Sequence, residues 1–327
     1  MTTKHPTFSV IIPLFNKRAY IQRAVKSVLD QTFSDFELIV VDDGSTDGSA
    51  DMIAHVDDPR LKIVRQPNAG VGLARNTGIS AAAGIWLALL DADDAWLSDH
   101  LSELVRVATA FPEAGMISCA GCEVVASNVQ RVIADHPSEG LVQRVNYFER
   151  AANHKGFINA SSVAIRADVA ETIGGFSSRK AGEDIEYWVR VALEFPVAVS
   201  SRVTSLYFRD TGGVMLQMVD VSRDQPEPPH APIHEFSAGV AAIFDRSKAR
   251  PDLLKRADIR TYINGMLVTA IRGCLYRGHF RSAKHYSKLI SVSGKIAFAL
   301  WKFLAYIPDP LLTFLRTASL KTRKGRY

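Results

Sequence analysis

Asp91-Ala92-Asp93-Asp94 places three carboxylates within four positions, directly after the apolar run Ile85-Trp86-Leu87-Ala88-Leu89-Leu90. At separations of about 4–6 Å, two such charges repel by about 3–4 kcal/mol at an effective dielectric of about 20. A hard divalent cation with oxygen ligands, Mg2+ or Mn2+, would reverse that repulsion. A solvated acidic turn is the competing reading, because acidic turns follow many strands and need no metal.

Two further polar segments follow apolar runs in the same way. Pro13-Leu14-Phe15-Asn16-Lys17 comes after Phe8-Ser9-Val10-Ile11-Ile12, and Asp42-Asp43-Gly44-Ser45-Thr46-Asp47 comes after Phe36-Glu37-Leu38-Ile39-Val40-Val41. Each has an ordinary explanation, since Asn16 can cap a helix and Gly44 to Asp47 can form a turn with an N-cap. Together they are less easily dismissed, because independent turns have no reason to put carboxylates repeatedly on one edge of a sheet. Farther along, Glu183-Asp184 opens a segment in which Ile185, Trp188, Val189, Ala192 and Leu193 take the spacing of one buried helix face. The helix dipole by itself also favours acids at such a start.

The elements that must position these groups alternate. Phe8 to Ile12 reads as a short buried strand, and Ile21, Ala24, Val25, Val28 and Leu29 follow at helical spacing. Further strands are expected at Phe36 to Val41, Leu61 to Val64 and Ile85 to Leu90, with an Ala-rich helix from Gly72 to Ala83. This alternation predicts an α/β fold with a mostly parallel central sheet flanked by helices. In such open sheets ligands lie beyond the carboxyl ends of the strands, where the three polar loops fall.

At 327 residues, 47% hydrophobic and 22% charged, the chain can bury a substantial core as one large domain or two smaller ones. Cys119, Cys122 and Cys274 are too few for a disulfide framework, and the Cys119-Ala120-Gly121-Cys122 spacing has no second pair for a zinc site. The opening Met1-Thr2-Thr3-Lys4-His5-Pro6 lacks the apolar core of a secretion signal, so a cytoplasmic location is expected. The net charge of +5 hides an asymmetry: residues 251–327 carry 15 Lys or Arg against 3 Asp or Glu, which leaves the first 250 residues at −7. Such a split points to an anionic partner for the basic part, a membrane surface or an anionic acceptor. No aromatic-interleaved basic strand argues for nucleic acid.

Phe8 to Asn16, Asp30-Gln31-Thr32, Phe36 to Asp47, Asn68-Ala69-Gly70, Ala74-Arg75-Asn76-Thr77-Gly78 and Leu90 to Asp94 together resemble the family 2 glycosyltransferases of the GT-A fold, over roughly residues 7–215. The resemblance implies a nucleotide-sugar-binding fold with Asp43 on the base, uracil if the donor is a UDP-sugar. It also implies Pro13 and Phe15 along the nucleoside, Arg75 on the pyrophosphate side, and Asp91 with Asp93 holding ribose and a metal-bound diphosphate. A carboxylate can accept from the uracil imide, a guanidinium suits phosphate, and a hard cation neutralises a leaving diphosphate. A surface helix residue is the alternative for Arg75. Phe157 to Arg166 and Ile173-Gly174-Gly175-Phe176 look like the family's connecting segment. The Glu-Asp pair that follows matches its catalytic pair, with Asp184 as general base and Glu183 in support. The implied reaction is a single displacement with inversion at the anomeric carbon.

One departure stands out: where some relatives carry an aromatic-Arg-His pattern, Leu206-Tyr207-Phe208-Arg209-Asp210 has Asp210 in place of the His, which puts a His metal ligand there in doubt and leaves open either Asp210 as an oxygen ligand or a site that relies on residues 91–94 and the diphosphate alone. The Pro-rich stretch Asp224 to Pro232 ends the catalytic unit near residue 225, and residues 226–327 read as a basic helical extension. Ile296 to Ile307 is apolar but falls short of the roughly 20 residues that span a bilayer. With the basic tail it suits the anionic inner face of a membrane as a peripheral contact, and an ordinary packed subdomain or a homodimer interface is the alternative. The overall expectation is a glycosyltransferase of surface polysaccharide or lipid-linked glycan synthesis. A sugar-nucleotide-forming nucleotidyltransferase would want a Gly-rich phosphate loop where Pro13-Leu14-Phe15-Asn16 stands, and a non-catalytic binding protein would not need Asp91, Asp93 and Asp184. The segment from Ser127 to His154 is where acceptor choice is expected to reside.

Overall fold

The computed structural model describes residues 5–135, 139–154, 156–211, 237–291, 301, 303–310 and 312. The first compact unit takes in described residues up to 147 together with 156–211; the second takes in 148–154 and those from 237 onward. The boundary expected near 225, the apolar run 296–300 and the basic tail 321–326 lie outside the described residues.

The first unit is built as the apolar runs predict. β1 (Phe8–Leu14), α1 (Ile21–Leu29), β2 (Phe36–Asp42), β3 (Leu61–Arg65), α2 (Val71–Ala81) and β4 (Trp86–Leu89) follow one another as strands and crossover helices. β1 and β2 are buried at every position, as strands covered on both faces must be. Phe8, Val10, Ile12 and Leu14 belong to the same core cluster as Ile21, Ala24, Val25 and Val28 of α1. Four such side chains removed from water supply about 1.5–3 kcal/mol each for the larger ones. The opposite face of the sheet carries Ile39 and Val41 against Ala74 of α2. α2 can lie close because Gly78 faces Ile11, where a Cβ would collide with the Ile11 side chain.

The order of the sheet is β3-β2-β1-β4-β8-β6-β9-β5, with β7 added on β9. The remaining elements are β5 (Ala95–Trp96), α3 (His100–Ala110), β6 (Met116–Val124), α4 (Val129–Asp135), β7 (Val142–Val145), α5 (Tyr147–Asn153), β8 (Val163–Arg166), α6 (Ala167–Ile173), α7 (Glu183–Glu194) and β9 (Val197–Phe208). β3, β2, β1 and β4 run parallel. Beyond them β8 runs antiparallel to both β4 and β6, and β5 and β7 run antiparallel to β9, so the second half of the sheet is mixed. β6 and β9 pair in parallel with a register irregularity at Cys119 to Gly121.

α7 corrects one reading. Trp188, Val189 and Leu193 are buried as expected, but Ile185 is 43% exposed, and Tyr187 and Val191 are buried instead. The face is rotated because Tyr187 stacks on Phe176, ring centroids 4.0 Å apart, and Trp188 meets both rings edge-on. Aromatic stacking of this kind adds about 0.5–1.5 kcal/mol beyond area burial.

In the second unit α8 (Ala238–Ser247), α9 (Ala257–Arg277) and α10 (Phe280–Leu289) are helices, as the helical extension requires. Ser237 caps α8 by accepting from Val240 N–H at 3.3 Å, and α9 stops at Gly278 in the left-handed conformation, φ 82°. Asn264 clamps Ser291 through two bonds of 2.8 and 3.1 Å, which fixes the end of α10 against α9.

Candidate active site

The loops after β1 and β2 are bound to each other. Asn16, the non-glycine residue with positive φ at 49°, accepts from Thr46 N–H at 2.8 Å, and its own N–H donates to Ser45 Oγ at 3.2 Å. Asn tolerates that conformation better than most residues. Asp42 accepts from Ser45 N–H at 3.0 Å, and Gly44 turns with φ 73° where a Cβ would approach Asn68 N to 2.9 Å.

Asp43, expected on the base, is buried and accepts three bonds: Gln66 Nε2 at 2.7 Å and Ala69 N–H at 2.9 Å on Oδ1, and Gly70 N–H at 2.9 Å on Oδ2. It therefore shapes the 66–70 loop that leads into α2, and Oδ2 keeps acceptor capacity for one more donor. Pro13 is buried in β1 in register with Val41, whereas Phe15 is 45% exposed on the loop beyond. A cavity of about 610 Å3 opens beside the 66–70 loop between Gln66, Pro67, Asn68, Leu73 and Thr77, and no carboxylate lines it.

Arg75 is not a surface residue. It is 2% exposed, and its guanidinium donates through Nη1 to Glu183 Oε1 and through Nη2 to Asp91 Oδ1, each at 2.8 Å. α2 meets the chain before α7 closely: a Cβ at Gly72 would strike Ser177 O, and Asn76 holds the Phe176 backbone through bonds of 2.9 and 2.7 Å. Burial acts against the charged guanidinium, but the Asp91 and Glu183 carboxylates outweigh it and its pKa rises. Burial also lifts the Asp91 carboxyl above its ordinary range, with Arg75 opposing and Asp93 adding to the rise.

Asp184 stands beside Glu183 at the start of α7, just after Gly182 with φ 75°, and its Oδ1 accepts from Ile185 N–H at 2.7 Å. Burial, then the Glu183 charge, raise its pKa, and the charges of Arg75 and Asp91 reach it as well. A carboxylate shifted in this direction is a stronger base than a solvated one.

The acidic cluster that opens the motif divides. Asp93 faces Lys17, whose Nζ lies 2.5 Å from Oδ2, and the same oxygen accepts from Thr211 Oγ1 at 2.9 Å. Arg23 donates to the Asp93 carbonyl and lies 3.5 Å from the centre of the Phe208 ring. Asp94 turns inward instead. It is 1% exposed, accepts from Ser161 Oγ at 2.5 Å and from Phe208 N–H at 3.0 Å, and burial pushes its pKa up to about 8. The three carboxylates thus do not share one cation. Asp210 is tied to Ala126 N–H at 3.2 Å.

Among the described residues no three His, Cys, Asp or Glu side chains converge on one point. A cation held wholly by protein does not fit. Asp91 Oδ2 and Asp93 Oδ1 accept no hydrogen bond from the described residues, so each carboxylate keeps one hard oxygen that could serve a Mg2+ or Mn2+ whose remaining ligands come from diphosphate and water. Lys17, Thr211, Ser161 and the Asn76 clamp escape sequence reasoning. Lys17 has a signal in its place in the loop after the first strand, and Asn76 and Ser161 in the motifs that contain them, but none of these gives the partner.

Residues 9–125 match the model of Glycosyl transferase family 2. The Rhizobium meliloti succinoglycan biosynthesis protein ExoO is 35% identical over 133 residues, 40% of this chain and 36% of the relative. The matched segments span between 32% and 42% of the length of the first curated relatives. In three dimensions the chain is similar to S. aureus TarS, solved in complex with UDP-GlcNAc, with a TM-score of 0.66 at 17% identity, covering 98% of this chain and 93% of the other. It is also similar to the mannosyltransferase PcManGT of Pyrobaculum calidifontis, solved with GDP-Man and Mn2+, with a TM-score of 0.50 at 19% identity, covering 99% and 89%. The fold is GT-A, with a nine-stranded central sheet and helices after it. Over residues 9–125 the chain is thus similar to glycosyl transferase family 2.

Proposed function

We propose that this protein transfers a sugar from a nucleotide-diphosphate donor to an acceptor hydroxyl with inversion at the anomeric carbon. The observation that carries the proposal is the Arg75 bridge, which holds the donor-side carboxylate Asp91 and the α7 start bearing Asp184 in one electrostatic unit. Asp184 takes the acceptor proton as the hydroxyl attacks the face opposite the leaving diphosphate, and its raised pKa suits that work. Glu183 holds Arg75, and Arg75 acts on the pyrophosphate side through the carboxylates it positions.

Asp43 presents its remaining acceptor capacity to the base, with Pro13 and Phe15 along the nucleoside. Asp91 faces ribose and diphosphate, and Asp91 and Asp93 are the residues that would hold Mg2+ or Mn2+. When bound, such an ion neutralises charge on the leaving diphosphate. The GDP-Man and Mn2+ in PcManGT and the UDP-GlcNAc in TarS support a metal and a nucleotide sugar, and a UDP-sugar is favoured here. The name of ExoO supports an acceptor in polysaccharide synthesis, free or lipid-linked. Thermal-shift titration with UDP-, GDP- and dTDP-sugars in Mn2+ tests the donor, since a bound ligand raises the melting temperature by mass action. No shift with any of them, and no slow nucleotide release, would remove the proposal.

The second unit fits a peripheral contact with an anionic membrane face. Arg281 and Lys288, at i and i+7 on α10, are exposed, Lys284 between them pairs with Asp309 at 2.6 Å, and Ser282, Ala283, Tyr286 and Ser287 are the buried positions. Leu289 is 48% exposed at the end of the same helix. Basic residues beside exposed apolar groups suit an anionic headgroup layer. No helix among the described residues is long and apolar enough to cross a membrane. The full chain should float with vesicles containing phosphatidylglycerol, and Arg281→Glu with Lys288→Glu should leave it in the pellet; a chain that never floats but sediments as a dimer would favour a homodimer surface.

A further inference from the structure

Lys17 stands directly on a carboxylate of the candidate site, and the proposed transfer reaction gives it no task. Its backbone N–H donates to Ser49 Oγ at 2.9 Å, which fixes the loop, and its ammonium stands 2.5 Å from Asp93 Oδ2. The two side chains are 23% and 16% exposed, so the pair is largely withdrawn from solvent. Thr211 Oγ1 donates to the same oxygen at 2.9 Å. A divalent cation arriving at Asp93 therefore meets a unit positive charge already on that carboxylate, at a distance shorter than the screening length of physiological salt. A diphosphate arriving with the cation changes the balance, because its oxygens offer the ammonium's three donors new acceptors.

We infer that Lys17 is an exchangeable counter-ion: it neutralises Asp93 while the donor is absent and passes to the diphosphate when the donor is loaded, so that divalent cation and nucleotide bind as a coupled pair. The inference rests on the nucleotide-diphosphate reading of the cleft, and it adds an order to loading that this reading does not contain. Charge on Asp93 is balanced at every stage, and a bare metal ion gains little by entering alone. Linkage makes the coupling reciprocal: UDP must tighten Mn2+ by the same factor by which Mn2+ tightens UDP.

The test is Mn2+ binding to the full chain, followed by electron paramagnetic resonance of the free ion, with and without UDP, in the wild type, Lys17→Met, Lys17→Gln and Lys17→Arg. Without nucleotide, Lys17→Met and Lys17→Gln should bind Mn2+ about tenfold more tightly than the wild type, and the factor by which UDP tightens Mn2+ should shrink while staying above one, because the diphosphate still ligates the ion directly. Both neutral variants should bind UDP more weakly in the absence of metal, and Lys17→Arg should keep the wild-type coupling. Equal Mn2+ affinity in the wild type and either neutral variant of unchanged melting temperature would overturn the counter-ion role. A wild type that binds no UDP at all would instead sink the donor reading and the coupling with it, while the metal comparison still reports on Lys17 and Asp93.

Discussion

Arg75 and Asp91 lie sixteen positions apart, on different elements, and are joined by a 2.8 Å bond between Nη2 and Oδ1 whose guanidinium partner is almost fully withdrawn from water. The other amino group of that guanidinium reaches Glu183, 108 positions downstream. One cation thus links the loop after β4 to the start of α7.

Removing the cation leaves Glu183 buried and unpaired, and Asp91 with a repulsive neighbour in Asp93. Breaking a buried ion pair from one side typically costs about 3–5 kcal/mol. Arg75→Met is expected at the low end of that range because Asp91 is a third exposed, and urea unfolding should show it. Arg75→Lys should recover only part of the loss, since an ammonium cannot bridge both carboxylates with a planar fork.

Asp184→Asn keeps the shape of the α7 start while removing the proposed general base. Turnover should fall by about 10²–10⁴-fold with UDP affinity nearly unchanged. Product formation and UDP titration on the same preparation check both halves, and an active variant refutes the assignment of the base.

Gly44→Ala should disturb the nucleotide end without touching a charged group. Its φ of 73° disfavours any side chain, and the new Cβ would press on Asn68 N at 2.9 Å. A cost of about 1–3 kcal/mol is expected. Because Asp43 shapes the 66–70 loop, UDP binding should weaken as well, which calorimetry would measure.

His100 makes stability depend on acid. Its ring is buried, stacked on Trp96 at 4.2 Å and bonded through Nδ1 to Thr204 Oγ1 at 2.7 Å, and burial lowers its pKa from 6.5 to about 3. The unfolded chain therefore takes up a proton that the folded chain refuses. This contribution is fully present above pH 6.5 and is lost as pH falls toward 3, at up to about 1.4 kcal/mol per pH unit. His100→Phe keeps a ring on Trp96, and its stability should fall less steeply between pH 6 and pH 4 than that of the wild type.

Much of the first unit could be read directly. β1, α1 and β2 announce themselves because short, β-branched apolar runs suit strands buried on both faces and an apolar period near 3.6 suits a helix with one buried face, and short connections make neighbours of consecutive elements. The polar loops after β1, β2 and β4 follow parallel strands and so leave the sheet at one edge, which made the loops bearing Asp43, Asp91 and Asp93 legible as neighbours. The family resemblance added roles for Pro13, Phe15, Arg75, Glu183 and Asp184 that periodicity does not contain.

What the linear chain determined is which residues must be buried and which loops must share an edge, because those follow from local hydrophobic pattern and strand direction. The tertiary structure alone decided the partners: Arg75 with Glu183, Lys17 with Asp93, Asp94 turned inward to Ser161 and Phe208, and Ile185 outside while Tyr187 stacks on Phe176. Each of these is a contact across long stretches of sequence, set by how far one helix slides and rotates on the sheet, and a shift of one residue in that docking exchanges one charge partner for another without altering any hydrophobic pattern.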